Sequence, residues 1–350
     1  MTSLYFVIPG DLTALTGGYA YDRELIKALG DLGVNVQVVP LSARFPTPDD
    51  AALTDAAQRL AAIPDHSLVL IDGLAGGVMD QIIRHEHQRL RIIALCHHPL
   101  AFESGIDNNT RDARLRSETN SLQHSQAVVV TSTATAQLLM DVFRVPAPAI
   151  TVALPGTRRQ QFAPCAGNPP VLLTVATLIP RKAHDVLIRA LARVADLPWQ
   201  ARFVGGDHFD PSWSQQIRHQ SETSGLGQRI HFAGSVADLS AEYRQADIFV
   251  LPSRFEGYGM VFAEALSFGL PIIAAHAGAV PDVVPADAGA LVPVDDDQAL
   301  AAALRTLLTD TSARHQLQQG AQRAALLLPD WPDTARRVHQ LLQHLLESRS

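Results

Sequence analysis

Short runs of apolar, often β-branched residues recur along this chain, separated by stretches with helical spacing. In the first half they are Phe6-Val7-Ile8, Val34 to Val39, Leu68 to Ile71, Ile92 to Leu95, Val128 to Thr131 and Ile150 to Ala153. In the second half they are Val171 to Val175, Ala201 to Val204, Ile230 to Ala233, Ile248 to Leu251, Ile272 to Ala275 and Ala290 to Val292. A strand that is apolar throughout has both faces covered, which a parallel sheet between two helical layers provides. The pattern predicts an α/β fold of two doubly wound, Rossmann-like parallel-sheet domains. The irregular, Pro- and Gly-rich stretch Phe162 to Pro170 reads as the linker between them. The expected division is residues 1–165, residues 166–330, and a terminal helical segment 331–350 whose periodic part runs from about Asp333 to Glu347.

Composition agrees with this picture and narrows the function. At 350 residues the chain exceeds one ordinary core. Apolar residues make up 47% and charged residues 18%, the balance of a globular enzyme. A formal charge of −7 and no Lys/Arg cluster argue against nucleic acid as a partner. Two cysteines, Cys96 and Cys165, encode neither a disulfide framework nor a four-cysteine zinc site. The first residues read as a strand rather than a leader, and no apolar run nears the ~18–20 residues of a membrane span. A cytoplasmic protein is expected, with room for peripheral membrane contact.

The most informative segment is Phe255-Glu256-Gly257-Tyr258-Gly259-Met260-Val261-Phe262-Ala263-Glu264. It follows the strand Ile248 to Leu251 and the turn Pro252-Ser253-Arg254, and opens a helix from about Tyr258 to Phe268. Glycines at a helix start let backbone N–H groups close on a phosphate, and the helix dipole favours negative charge there. Glu264, roughly two turns into that helix, is placed to accept hydrogen bonds from a ribose diol. Glu256, on the other side of the phosphates, would face a transferred group. A glutamate before or within a helix is also an ordinary surface feature, but Glu264 sits among Val261, Phe262, Ala265 and Leu266.

The block resembles the E-x7-E signature of retaining GT-B glycosyltransferases of family 4 (glycosyl transferases group 1). That resemblance covers most of the chain, strongly over residues 171–294. It implies a site in a cleft between two domains, a nucleotide diphosphate-sugar donor held mainly by the second domain, retention at the anomeric carbon, and neither metal nor further cofactor. The acceptor, whether sugar, lipid or small molecule, is not identified. Several other segments then take on meaning. Thr16-Gly17-Gly18-Tyr19-Ala20 opens a helix through Leu25, Ile26 and Leu29; by resemblance Gly17 and Gly18 face the donor, and a plain turn also fits them. His97 in Cys96-His97-His98 follows a strand, and the family has a histidine there near the donor sugar. A Cys96–His97 nucleophilic dyad is disfavoured because adjacent residues on extended chain point apart.

In Thr174-Val175-Ala176-Thr177-Leu178-Ile179-Pro180-Arg181-Lys182-Ala183-His184-Asp185, Lys182 matches the family lysine that holds the diphosphate. Ala176-Thr177 stands where Gly-Arg is frequent, and Ala183 where glycine is. Arg181 is the candidate for the second cation. Gly205, after the strand ending at Val204, and Val236, after Ile230 to Ala233, are candidates beside phosphate and base, although a bare strand-end turn serves equally. Asp295-Asp296-Asp297 reads as a helix cap and not as a D-x-D metal motif. Other readings stay open: another GT-B chemistry such as an epimerase or phosphorylase, or a nucleotide-sugar-binding subunit without catalysis.

Overall fold

The computed structural model of the chain describes residues 2–347. The chain divides into two compact units: the described residues of Met1–Gly156 with Pro329–Ser350, and Thr157–Leu328. Each of the twelve apolar runs forms a strand.

In the first unit the strands are β1 (Ser3–Pro9), β2 (Asn35–Leu41), β3 (Leu68–Asp72), β4 (Arg91–Cys96), β5 (Ala127–Val130) and β6 (Ile150–Val152). They form one parallel sheet in the order β2-β1-β3-β4-β5-β6. Apolar side chains on its faces pack under helices, with Val7, Ile71 and Ile92 in one cluster and Val128, Leu139 and Phe143 in another. The chain builds β2 on one side of β1 and then crosses to place β3 on the other. The carboxyl ends of β1 and β3 therefore flank a topological switch point, where open α/β sheets leave a crevice for ligands.

The second unit has β7 (Val171–Val175), β8 (Gln200–Val204), β9 (Ile230–Gly234), β10 (Ile248–Leu251), β11 (Ile272–Ala275) and β12 (Gly289–Val292). Its parallel order is β12-β11-β10-β7-β8-β9, so the switch point lies between β7 and β10. Its core joins Leu172, Val250 and Ile273 of the sheet to Leu187 and Leu191 of the helix His184–Ala192 and Leu300 and Leu304 of the helix Asp297–Thr309. Asp296 caps the latter by accepting from Ala299 N–H at 2.8 Å, the role expected of the acidic run.

Two boundaries differ from the sequence pattern. The stretch 162–170 is irregular, as expected, yet it is fastened to the second unit: Ala163 N–H donates to Phe268 O at 2.7 Å, and Gly167 and Val171 N–H donate to the Asp247 carboxylate at 2.8 and 2.7 Å. Low periodicity marked a segment without regular structure, but these tertiary hydrogen bonds are invisible to periodicity. The last helix spans Trp331–Glu347, two residues earlier than the pattern suggested. It belongs to the first unit, with Trp331 edge-on to Tyr21 (ring centroids 5.6 Å apart) and Thr334 Oγ1 donating to Leu154 O at 2.6 Å. Gly156 lies so close to the backbone of Asp330 and Trp331 that a Cβ there would collide with it.

Candidate functional site

Both strands that flank the switch point of the second unit lead into the predicted residues. After β7 the chain turns through a 3-10 turn, Pro180–Lys182, and after β10 it runs through Pro252 to Gly259. Lys182 Nζ donates to Glu256 Oε1 at 2.6 Å, and Arg181 Nη1 lies 3.6 Å from Glu256 Oε2 while donating to Phe255 O at 3.1 Å. Glu256 is buried, and burial alone would raise its pKa. Lys182 and Arg181 outweigh that and hold it below the ordinary carboxylate range, so it is charged at neutral pH. Lys182, Arg181 and Glu256, expected to act on phosphate and sugar, thus lie together as one ion cluster.

Sequence reasoning missed what holds that cluster. Arg254 clamps the 3-10 turn: its N–H donates to Arg181 O at 2.8 Å, its guanidinium to Pro180 O, to Asp185 Oδ2 at 2.9 Å and to Asp295 Oδ1 at 2.7 Å. Glu256 O accepts from Ala279 N–H at 2.9 Å. Gly278, at φ +53°, rests on that same carbonyl, and any Cβ there would strike it. The signal available in the sequence was a Gly in the turn after β11, the strand neighbouring β10.

Gly259 is the N-cap of the helix Met260–Ser267 and is left-handed at φ +85°, a conformation that favours glycine. The helix thus begins two residues later than its apolar spacing suggested, and Glu264 lies about 6 Å along it at 1.5 Å per residue. Glu264 Oε2 accepts from Tyr243 OH at 2.8 Å. Burial pushes Glu264 up to about 7, against the pull of that hydrogen bond. Tyr243, stacked on Phe268 at 5.2 Å, was not singled out by the sequence. Gly257 and Tyr258 are buried in the turn before this helix. Gly205 is accounted for by the fold itself, since a Cβ would run into Ala176 O where β7 and β8 end. Val236 lies half-buried in the loop after β9.

Ala183 adopts φ +53°, ψ +38° between the 3-10 turn and the helix His184–Ala192. That explains on physical grounds why glycine is the usual residue there.

In the first unit the predicted residues also converge at the switch point. His97 follows β4, with Nε2 3.0 Å from Asp22 Oδ1 and 3.3 Å from Asp72 Oδ2. Asp22 comes from the helix Gly17–Asp31 and Asp72 from the end of β3. A Cβ on Gly18 would stand 3.6 Å from His97 Cδ2, whereas Gly17 faces open space. Burial drives the Cys96 thiol well up, so it is no nucleophile near neutrality. Asp22, Asp72 and His97 are also the one group among the described residues whose ligand-type atoms lie within 4.8 Å of one another, close enough to share a cation.

Known proteins give this geometry its context. Residues 158–324 match the family described as Glycosyl transferases group 1. A D-inositol 3-phosphate glycosyltransferase of Corynebacterium glutamicum is 29% identical over 264 residues, 69% of this chain and 62% of the relative. A GDP-mannose-dependent alpha-(1-6)-phosphatidylinositol monomannoside mannosyltransferase of Mycolicibacterium smegmatis is 27% identical over 58% of this chain and 59% of the relative. The matches thus span about three-fifths of these relatives' length. Among solved structures, sucrose-phosphate synthase of Thermosynechococcus elongatus superposes with a TM-score of 0.84 at 22% identity, covering 99% of this chain and 100% of that one. Anabaena HepE, solved in complex with UDP-glucose, gives 0.77 at 19% identity over 98% and 100%. These likenesses show a GT-B fold. Among the described residues no helix is long and apolar enough to cross a membrane.

Proposed function

We propose that this protein, whose residues 158–324 match glycosyl transferases group 1, is a retaining, metal-independent glycosyltransferase of family 4. It moves a sugar from a nucleotide diphosphate-sugar to a hydroxyl acceptor. The observation that carries the reading is the Lys182–Glu256–Arg181 cluster at the β7/β10 switch point, beside a helix that starts at a left-handed glycine.

In the reaction the bond from the anomeric carbon to the diphosphate oxygen breaks, and a bond from that carbon to the acceptor oxygen forms on the same face. The acceptor's proton passes to the leaving diphosphate. Charge builds on the diphosphate, so stabilising it is the main task. Lys182 and Arg181 carry that charge, helped by the backbone N–H groups at Gly257 to Gly259. Glu256 keeps Lys182 aimed, and is shared with the sugar once phosphate takes part of the cation. Glu264, steadied by Tyr243, accepts from the ribose. His97 positions the sugar. No cofactor besides the donor is needed.

Named relatives and neighbours handle GDP-mannose and UDP-glucose, which puts UDP and GDP first among the bases to try. A phosphorylated polyol or a lipid headgroup is the acceptor class suggested by the relatives, and a cytoplasmic setting at or near a membrane surface fits it. The test is incubation with UDP-, GDP-, ADP- and dTDP-sugars, following slow hydrolysis and transfer with and without EDTA. One nucleotide series should be turned over equally in chelator. Loss of activity in EDTA, restored by Mg²⁺ or Mn²⁺, would overturn the metal-free mechanism. Donor binding without any turnover would leave a binding subunit.

A further inference from the structure

The proposed function uses His97 but says nothing of the two carboxylates that meet it. Their side chains are 0% and 2% exposed, and both contact the same ring nitrogen, Nε2. A bare Nε2 would set a lone pair against two carboxylates, so that nitrogen carries a hydrogen. A neutral ring would still leave two buried negative charges facing each other, each costly to keep out of water. A second proton on the ring removes most of that cost.

Among the described residues, the groups packed around the three do not supply a second cation in contact with the carboxylates. On the helix Gly17–Asp31, Tyr19 and Tyr21 spend their hydroxyl protons on Pro9 O (2.7 Å) and Ala153 O (3.0 Å). Arg23 donates to Leu12 and Ala14 carbonyls, and acts on Asp22 only weakly from there. Cys96 on β4 is held neutral, and Trp331 of the terminal helix meets Tyr21, whose ring in turn packs edge-on to His97 at 5.1 Å. Asp22 Oδ2 has no hydrogen-bond partner, so the charge of this residue leans on His97 through Oδ1.

We propose that Asp22, acting with Asp72, is a positioning residue that holds His97 as a doubly protonated ring, offering Nδ1–H as a fixed hydrogen-bond donor to a substrate oxygen. This rests on the reading of His97 as a sugar-positioning residue. It makes His97 a donor across the neutral range and rules it out as the base that takes the acceptor's proton. The direction of its titration agrees: burial opposes charging the ring, but Asp22 and Asp72 outweigh it and hold the proton up to about 10.

The test reads the ring directly. Side-chain ¹⁵N shifts of the full-length protein are followed from pH 6 to 10, with His97→Gln assigning the signal. Both nitrogens of His97 should stay protonated past pH 8, where an ordinary imidazole with its midpoint near about 6.5 is neutral. Asp22→Asn should lower the midpoint by more than about one unit, and Asp22→Glu should restore part of it. A wild-type ring that titrates near 6.5, or an unshifted Asp22→Asn ring, overturns the proposal. So does a stoichiometric metal ion in the purified protein with Nε2 unprotonated. Should Asp22→Asn not fold, the wild-type titration and Asp72→Asn decide. Because turnover is not the readout, a chain inactive on every nucleotide sugar sinks the proposed function and leaves this result standing, while an active chain with a neutral ring sinks this inference alone.

Discussion

The two units use one topological device, a crevice between strands that leave the sheet on opposite sides, and fill it with opposite charge. At the β7/β10 switch point, two cations surround one buried carboxylate, leaving an excess of positive charge. At the β1/β3 switch point, two buried carboxylates surround one ring, leaving an excess of negative charge. Excess positive charge favours an anion such as a diphosphate, and excess negative charge disfavours one. On the proposed function, the first arrangement is assigned the departing anion and the second a neutral hydroxyl-bearing group.

The sharpest way to break this comparison is at Lys182. Lys182→Ala should lower turnover about 10²–10³-fold, the loss typical of one donor to developing negative charge. It should also destabilise the fold, by less than the about 3–5 kcal/mol of a fully unpaired buried charge, because Glu256 keeps Arg181. The double change Lys182→Met with Glu256→Gln separates the two effects: denaturant unfolding should recover most of the stability while turnover stays lost. Recovered turnover would show that the cluster is only a structural pair.

Glu264 gives a smaller effect with a definite pH sign. Its pKa is raised to about 7 in the folded protein, so the charged form is fully present only above that value and is lost as pH falls through it. If the ionised carboxylate accepts from the ribose, donor affinity should weaken about tenfold from pH 8 to pH 6, following the fraction ionised. Glu264→Gln should bind weakly at both values, for every sugar on the same nucleotide. A wild-type affinity that does not change over this range would remove Glu264 from the ribose.

The smallest effect is expected at Ala183. A left-handed alanine carries about 1–2 kcal/mol of strain, and Ala183→Gly relieves it. The mutant gives up a fully buried methyl worth about 0.8 kcal/mol and gains unfolded-state freedom. Calorimetry should therefore find the two proteins within about 1 kcal/mol, and a loss above 2 would mean that packing, not backbone strain, governs this turn.

How much of this was legible in the sequence follows from the physics of each part. Strands covered on both faces are apolar from end to end, so the central strands could be read from the pattern alone, and the more exposed β2 and β6 from their β-branched runs. Strand order could not, because β10 lies beside β7 through contacts almost eighty residues apart. That order is what brings Lys182 to Glu256. Asp22 and Asp72 were passed over because each looks ordinary locally. The available clues were an acidic residue within the apolar face of Tyr21, Leu25 and Leu29, and another closing the run Leu68 to Ile71. Arg254 was read as part of a turn, since nothing local reveals that its guanidinium ties Pro180, Asp185 and Asp295 together.

The collision that forbids a side chain at Gly156 has a use in protein engineering. It means that the residues on either side of the second unit, Gly156 and Asp330–Trp331, touch each other within the first. The second unit is therefore a cassette, a continuous insertion whose two ends leave from a single point. Joining Gly156 to Pro329 through a short bridge should yield the first unit as a separate recombinant protein, and the same junction is where the cassette of a relative with another donor base would be spliced in.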